Sequence, residues 1–368
     1  MVEWKKLDTL LDFEQPTPYL VKSTEYNDSY DVPVLTAGQS LLLGYTNETK
    51  GIFKASKDNP TIIFDDFTTS FHWIDFDFKV KSSAMKMLRP KKGVNFRFVY
   101  YSMRGISFVP GGHQRHWISK YSQFKIPIPS LSEQQRIVDI LDTFTASIEN
   151  LKEQIAERRK QYEYERDQLL DLEGKEGVEM KTLGEVCVKN QNIKWKSESA
   201  DKYYDYIDLS SVSIDLNSIT ETTEINKENA PSRAQQIVKD GDVLLGTTRP
   251  TLKRYCQVPL QYDNQICSTG YCVLRAKTEC VLSRWIFHNI GNRKFWDYCE
   301  IHQQGAGYPC LSNSDAFSYR IPLPSLSEQA SIVSILDTFE ASIANLEAQL
   351  ELRQKQYEYY RNQLLMFE

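Results

Sequence analysis

From Ile137 onward the chain repeats a spacing of four and three residues: Ile137, Leu141, Phe144, Ile148, Leu151 and Ile155, continued by Arg158, Tyr162, Glu165 and Leu169. That alternation keeps one stripe of a helix against one partner for about five heptads and predicts a coiled-coil seam. The same spacing returns in Ile332, Leu336, Phe339, Ile343, Leu346, Leu350, Arg353, Tyr357, Tyr360 and Leu364. At ~1.5 Å per residue each stretch makes a rod of about 60 Å. Elsewhere the pattern is shorter. LLLGY from Leu41, TIIFDDF from Thr61 and the alternating FHWIDFDFKV from Phe71 predict strands, whereas VNFRFVYYSMR from Val94 and LSRWIFHNIGNRKFWDYC from Leu282 predict helices. The expected class is α+β, with two globular regions of mixed strand and helix separated by two long helices.

The two long helices are copies. IPIPSLSEQQRIVDILDTF begins at Ile126 and IPLPSLSEQASIVSILDTF at Ile321, and residues 126–173 match 321–368 without gaps at 32 of 48 positions. This is an internal duplication, with a weaker echo in VEWKKL at Val2 and VEMKTL at Val178. Ser130 with Glu133, and Ser325 with Glu328, form Ser-x-x-Glu capping boxes that start each helix. The expected segments are 1–125, a globular domain; 126–177, helical; 178–320, a second globular domain; and 321–368, helical. Between their shared ends the two globular sequences look unrelated. Rods related by duplication pair with pseudo-twofold symmetry only when antiparallel. Arg158 and Arg353 occupy matching seam positions, where they either fix register or carry their charge out of the seam.

Composition narrows the class. No run of 18 apolar residues exists, and MVEWKKLDTLLDFEQ lacks the apolar core of a signal peptide, so a cytoplasmic protein is expected. All seven cysteines lie between Cys187 and Cys310 and read as free thiols rather than a disulfide framework. Only Cys299 and His302 come close to metal-ligand spacing, so no metal site is expected.

The net charge of -5 conceals an uneven distribution. The helical segments carry -5 and -4, residues 1–125 carry +4, and residues 178–320 are neutral. Residues 79–125 hold eleven Lys and Arg and no acid. They are Lys79, Lys81, Lys86, Arg89, Lys91, Lys92, Arg97, Arg104, Arg115, Lys120 and Lys125, interleaved with aromatic residues. Such a tract points to nucleic acid. In the second domain GTTRPTLKR sets Thr247, Thr248, Arg249, Lys253 and Arg254 in one loop, a mixture suited to phosphate oxygens and base edges. A glycine-bearing polar loop precedes each repeat: VPGGHQRHW, with His113, Gln114 and Arg115, and HQQGAGYP, with Gln303 and Gln304. Gly112 and Gly307 coincide when counted back from the repeats. Either loop is a base-reading element or a plain turn into the helix.

Catalytic signatures are missing. The chain has no GxxxxGK[ST], no GxGxxG behind a strand, no HExxH and no Asn/Asp-Pro-Pro-aromatic motif. Asp65 and Asp66 lack a following Glu-x-Lys and are expected to be structural. A non-catalytic binding subunit without cofactor fits best; a coiled-coil scaffold joining two protein-binding domains is the alternative, and it leaves the acid-free basic tract unexplained.

Two dissimilar domains, each followed by a near-identical PLPSLSEQ helix with ILDTF inside it, resemble the specificity subunit of type I restriction-modification systems. The resemblance covers the whole chain, and GDVLLGTTRPTLK, ICSTGYCVLRA, QGAGYPCLS and FDDFTTSFHWIDFDFKVKSSAMKML look like recognition-domain motifs of that family. It implies that each globular domain reads one half of a bipartite double-stranded DNA site while the rods fix the unread gap. It implies two methyltransferase subunits, bringing S-adenosylmethionine and adenine-N6 methylation, docked on the repeats through Ser130, Glu133, Gln134, Ile137 and Phe144, and through Ser325, Glu328, Gln329, Ile332 and Phe339. Two restriction subunits would bring ATP and Mg2+ for translocation and cleavage.

Overall fold

The computed structural model describes residues 2–36, 38, 41–112 and 114–367. It divides into two compact units, Met1–Lys152 with Ala348–Glu368, and Glu153–Glu347. Its helices of nine residues or more are α1 (Phe96–Arg104), α2 (Leu131–Leu169), α3 (Ser283–Gly291), α4 (Arg293–His302) and α5 (Leu326–Leu364). None of the described helices is long and apolar enough to cross a membrane.

Unit 1 is built on an antiparallel sheet in the order Leu11–Glu14, Met85–Pro90, Thr61–Asp65, Phe71–Ile74. Its two central strands are buried on both faces, so side chains alternate between two cores. Ile62, Phe64 and Leu88 pack toward Phe98, Tyr101, Ile137 and Leu141. Ile63, Met85 and Met87 pack toward Phe53, Phe78 and Val80 on the opposite side. The FHWIDFDFKV segment divides: Phe71–Ile74 stays in this sheet, and Lys79–Val80 pairs with Val32–Leu35 in a second one.

Unit 2 repeats the plan. Its four-stranded sheet runs Cys187–Val188, Tyr271–Ala276, Val243–Gly246, Tyr255–Gln257, again antiparallel throughout. Val243, Leu245 and Leu274 face the helices, and Leu244, Val273 and Tyr271 face the other way. In both units an N-terminal strand pairs with the strand that leads into the repeat: Glu3–Lys6 with Lys125–Ile128, and Glu179–Thr182 with Arg320–Leu323. The two globular sequences that look unrelated thus share the strand order of their four-stranded sheets. The single helix expected over LSRWIFHNIGNRKFWDYC is two, because Asn292 adopts an extended backbone and its side chain accepts from Lys294 N at 2.6 Å to cap α4.

The helical repeats start where the capping residues predict. Ser130 Oγ accepts from Glu133 N and Ser325 Oγ from Glu328 N, each at 3.3 Å, while the Glu133 carboxylate takes the Arg136 guanidinium instead of closing the box. In unit 1 the beginning of α2 lies antiparallel to the end of α5: the Phe144 ring stacks on Tyr360 at 5.4 Å, and the Arg353 guanidinium lies 5.7 Å from the Phe144 ring. In unit 2 the end of α2 meets the beginning of α5 in the matching register, with Arg158 5.8 Å from the Phe339 ring and Arg159 paired with Glu347 at 2.6 Å. Each seam arginine therefore rests on the corresponding phenylalanine of the other copy.

Candidate nucleic-acid interface and helix junctions

In unit 2 three loops meet at one end of the four-stranded sheet. Thr247, just past Val243–Gly246, donates through its backbone N to Gly270 O at 2.9 Å and accepts from Leu311 N at 2.9 Å. Thr248 bridges to Cys310, and Arg249 N donates to Pro309 O at 2.7 Å. The three segments quoted from the second domain thus form one cluster. Unit 1 builds the equivalent cluster around Asp66, whose N donates to Ala84 O at 2.8 Å and whose O accepts from His116 N at 2.9 Å. His116 and Leu311 stand 195 positions apart, the same offset as the repeats.

What holds these clusters differs. Asp66 is buried, paired with the equally buried Lys86 at 3.0 Å, and its Oδ1 accepts from Trp117 N at 2.8 Å. Asp65 Oδ1 caps the turn by accepting from Phe67 N and Thr68 N. Asp65 thus shapes the turn and Asp66 ties the loop segments together. In unit 2 neutral groups do this work: the Thr247 hydroxyl donates to Gly270 O at 2.9 Å. Gly112 adopts a left-handed φ of +68°, but in the second loop that conformation falls on Gly305 (φ +102°) rather than Gly307.

The structure sorts the basic residues into committed and open ones. Lys79 is 2% exposed, with its ammonium on Glu48 and the carbonyls of Lys50 and Gly51; Lys86 is 1% exposed and held by Asp66 and Gln15. Their expected contact with DNA is corrected, since reaching a phosphate would strip the half-buried Glu48 or the buried Asp66 carboxylate of its partner. Arg97 is tied to Asp142, Arg254 to the carbonyls of Leu209 and Val212, and Thr247 is buried in its cluster, so these side chains are engaged within their own unit. Arg89 binds Asn59 and Lys54 O, Lys91 binds Asp8 O, and Arg104 binds the Tyr100 hydroxyl. Lys81 lies 5.7 Å from the Tyr26 ring. Lys92, Gln114, Arg115, Arg249, Lys253 and Gln304 are exposed. Thr248 and Gln303 are half-buried, and among the described residues Gln303 Oε1 is buried without a hydrogen-bond partner. His113 lies outside the described residues.

The repeat segments divide likewise. Gln134, Ile137, Gln329 and Ile332 are buried in their own units, and the two amides are fixed by carbonyls: Gln134 Nε2 donates to Pro129 O, and Gln329 Nε2 to Pro324 O and Cys280 O. The expectation that these four side chains touch a partner is therefore corrected. Phe144 and Phe339 are half-buried in the seams, leaving Ser130, Glu133, Ser325 and Glu328 at the surface or its edge. The outward stripe instead begins with the exposed Leu131 and Leu326, which sequence reasoning passed over because heptad spacing marks only the inward face.

Each head is locked to its own repeat helix by a matching ionic junction. In unit 1 Arg97 Nε donates to Asp142 Oδ1 at 2.7 Å and the Tyr101 hydroxyl donates to the same oxygen. In unit 2 Arg284 and His288, spaced identically, hold Asp337, and the Tyr162 hydroxyl donates to Glu340 at 2.8 Å. Burial lowers the His288 pKa. Burial also pushes the thiols of Cys187, Cys256, Cys272 and Cys299 up to about 12, so these four are inert apolar fillers. All seven cysteines are free.

A family model described as type I restriction modification DNA specificity domain matches residues 1–158 and 175–353. The EcoR124I/EcoR124II specificity subunit of Escherichia coli is 40% identical over 403 aligned positions, covering 100% of this chain and 94% of that one. A putative type I restriction enzyme specificity subunit of Haemophilus influenzae is 29% identical, covering 100% and 96%. The crystal structure of a type I restriction-modification S subunit from M. genitalium superposes with a TM-score of 0.63 at 15% identity, over 100% of this chain and 97% of that one, and shares the fold.

Proposed function

The chain belongs to the type I restriction-modification DNA specificity family, and from that premise we propose that its two loop clusters each read one half of a bipartite duplex while the paired helices set the gap. As a specificity subunit it is the DNA sequence-recognition component of its complex. In this reading residues 1–125 and 178–320 are the two recognition domains, and 126–177 and 321–368 are spacer and docking segments. Two methyltransferase subunits, carrying S-adenosylmethionine, dock on the outward stripes of the repeats and methylate adenine. Restriction subunits supply ATP- and Mg2+-dependent cleavage, and the complex works in the cytoplasm of a prokaryote.

The observation that carries the proposal is the paired architecture. One backbone scaffold, fixed by Asp66 in one unit and Thr247 in the other, presents different side chains: Gln114 and Arg115 in unit 1, and Arg249, Lys253 and Gln304 in unit 2. Equal scaffolds with unequal surfaces suit two different half-sites, whereas near-identical repeats suit one partner bound twice.

Gel-shift titration of the chain reconstituted with its methyltransferase subunit tests this. The expected result is tight binding to one bipartite duplex, falling steeply with salt because phosphate contacts release counterions. Inserting four residues at equivalent points of both helices, about 6 Å of rise, should lengthen the preferred gap and leave both half-sites unchanged. Altered half-sites would defeat the spacer assignment.

A further inference from the structure

We infer that Arg249, mounted on the Tyr308 ring, is a guanine-reading residue of the half-site recognised by unit 2. The inference rests on the recognition reading above and adds the identity of a base. Arg249 is exposed, and no carboxylate or carbonyl holds its guanidinium among the described residues, in contrast to Arg254, Arg275 and Arg284 nearby in sequence. Its one described side-chain contact is the Tyr308 ring, 4.7 Å from the guanidinium carbon. A cation on a ring face is positioned without using its N–H donors. The five donors remain available, and their planar fork matches the O6 and N7 acceptors that guanine presents in the major groove.

Both members of the pair are held rigidly. Arg249 takes a left-handed backbone (φ 49°), a conformation that costs a non-glycine residue free energy and that persists only when the surroundings impose it. The imposing contacts are Arg249 N to Pro309 O at 2.7 Å and Leu252 N to Arg249 O at 2.9 Å. Tyr308, 71% exposed, sits in a turn closed by reciprocal hydrogen bonds between Gln304 and Cys310. That turn requires glycine at 305, since φ is +102° and a Cβ would stand 3.1 Å from Tyr308 O. An exposed tyrosine and an exposed arginine fixed in contact at the tip of a recognition cluster bury little area and join no core. In unit 1 the residue two places beyond the scaffold position Asp66 is Thr68, which has no such fork. The Arg249 contact therefore has no counterpart at the equivalent position of unit 1.

The test uses the reconstituted complex with methyltransferase subunits and the duplex defined by methylome sequencing of a strain expressing it. Each guanine of the two half-sites is replaced in turn by 7-deazaguanine, which lacks the N7 acceptor. The expected outcome is one position where this substitution weakens wild-type binding roughly tenfold and leaves binding by Arg249→Asn unchanged. Asparagine tolerates the left-handed backbone, so this variant keeps the loop. Arg249→Lys, which keeps the charge but not the fork, should lose discrimination at the same guanine. Tyr308→Phe should behave as wild type and Tyr308→Ala should lose part of the coupling. Equal weakening of all duplexes by Arg249→Asn would mark a phosphate contact and overturn the inference, as would a methylome site whose guanines all act independently of residue 249. Wild-type complex that binds every sequence alike would instead overturn the recognition reading itself.

Discussion

Arg284 Nε donates to Asp337 Oδ1 at 2.9 Å, joining the last part of the unit 2 head to the ILDTF segment of its repeat. Arg97 and Asp142 make the same bond in unit 1 at 2.7 Å, and Asp142 and Asp337 occupy equivalent repeat positions. These junctions set the angle at which each head leaves its helix. Replacing Asp142 or Asp337 with Asn is expected to lower stability by about 1 to 2 kcal/mol. That is below a fully buried charge-assisted bond because both carboxylates are partly exposed. Urea unfolding of Arg97→Ala, Asp142→Asn and the double variant checks it: a coupling energy near zero would show the contact to be incidental.

The junctions differ in one titratable group. His288 is fully buried and contacts Asp337, Tyr162 and Arg284, with Glu340 joined to the last two. Desolvation depresses its pKa, an effect that its hydrogen bond to Asp337 only partly opposes. A depressed histidine leaves the unfolded chain binding the proton more readily, so its contribution is fully present above about pH 6.5 and is lost as pH falls below that value. Asp337 is pulled up by burial but held below the ordinary carboxylate value by His288 and Arg284, so its contribution fades only at still lower pH. Unit 1 has Tyr101 in the place of His288, and burial raises its pKa further, so this group stays neutral throughout. Hydrogen exchange at pH 7.5 and 5.5 should therefore show α3 losing protection on acidification while α1 does not. Equal loss in both helices would argue against His288 as the cause.

Lys86 and Asp66 are 1% and 2% exposed at their side chains, so removing either leaves a charge stranded. Lys86→Met is expected to cost about 3 to 5 kcal/mol, whereas Lys86→Met with Asp66→Leu recovers most of it. The double variant still lacks the carboxylate that receives Trp117 N. Limited proteolysis at the loop around Gln114 and Arg115 should accordingly remain faster than in wild type even where the melting temperature is restored. A loop that is equally resistant in all three proteins would show that backbone pairing alone secures it.

The helical part of the fold was legible because duplication and heptad spacing are local: the caps at Ser130 and Ser325 and the seam through Phe144 and Phe339 stand where the sequence places them. The α+β class followed from short apolar runs such as TIIFD and alternating ones such as FHWI. The shared sheet order of the heads was not legible, since it resides in strand ladders such as Thr61–Asp65 with Met85–Pro90 and Val243–Gly246 with Tyr271–Ala276, whose backbone pairing tolerates unrelated side chains. Charge counting found the basic tract but could not tell a lysine facing solvent from Lys79 or Lys86, whose carboxylate partners lie some 20 to 30 positions away in sequence. Nothing local in QGAGYPCLS marks the Tyr308 ring as the support for an arginine more than 50 positions earlier.

Of the repeat residues expected to dock a partner, Gln134, Ile137, Gln329 and Ile332 are buried, and the exposed stripe makes a sharper prediction. Leu131 is 64% exposed and Leu326 38%, so neither contributes much to its own core, and a partner helix bundle would gain by covering them. If two methyltransferase subunits dock as proposed, Leu131→Asp and Leu326→Asp should each leave the melting temperature within a few degrees of wild type and reduce the bound subunits from two to one by native mass spectrometry. The double variant should bind none. Ile137→Ala, by contrast, empties a fully buried site and should cost about 2 to 5 kcal/mol of stability. The stripes are not identical around these leucines: Gln135, Arg136 and Asp139 are replaced by Ala330, Ser331 and Ser334, all exposed. The first stripe carries an Arg136–Glu133 ion pair at 2.7 Å that a partner must desolvate or match, and the second does not. The two docking events are therefore expected to differ in salt dependence, the first stripe weakening or strengthening with ionic strength more than the second. Titration of Leu131→Asp and Leu326→Asp, each of which isolates one stripe, at two salt concentrations measures that difference; superimposable curves would mean that the partner touches only the positions the two copies share.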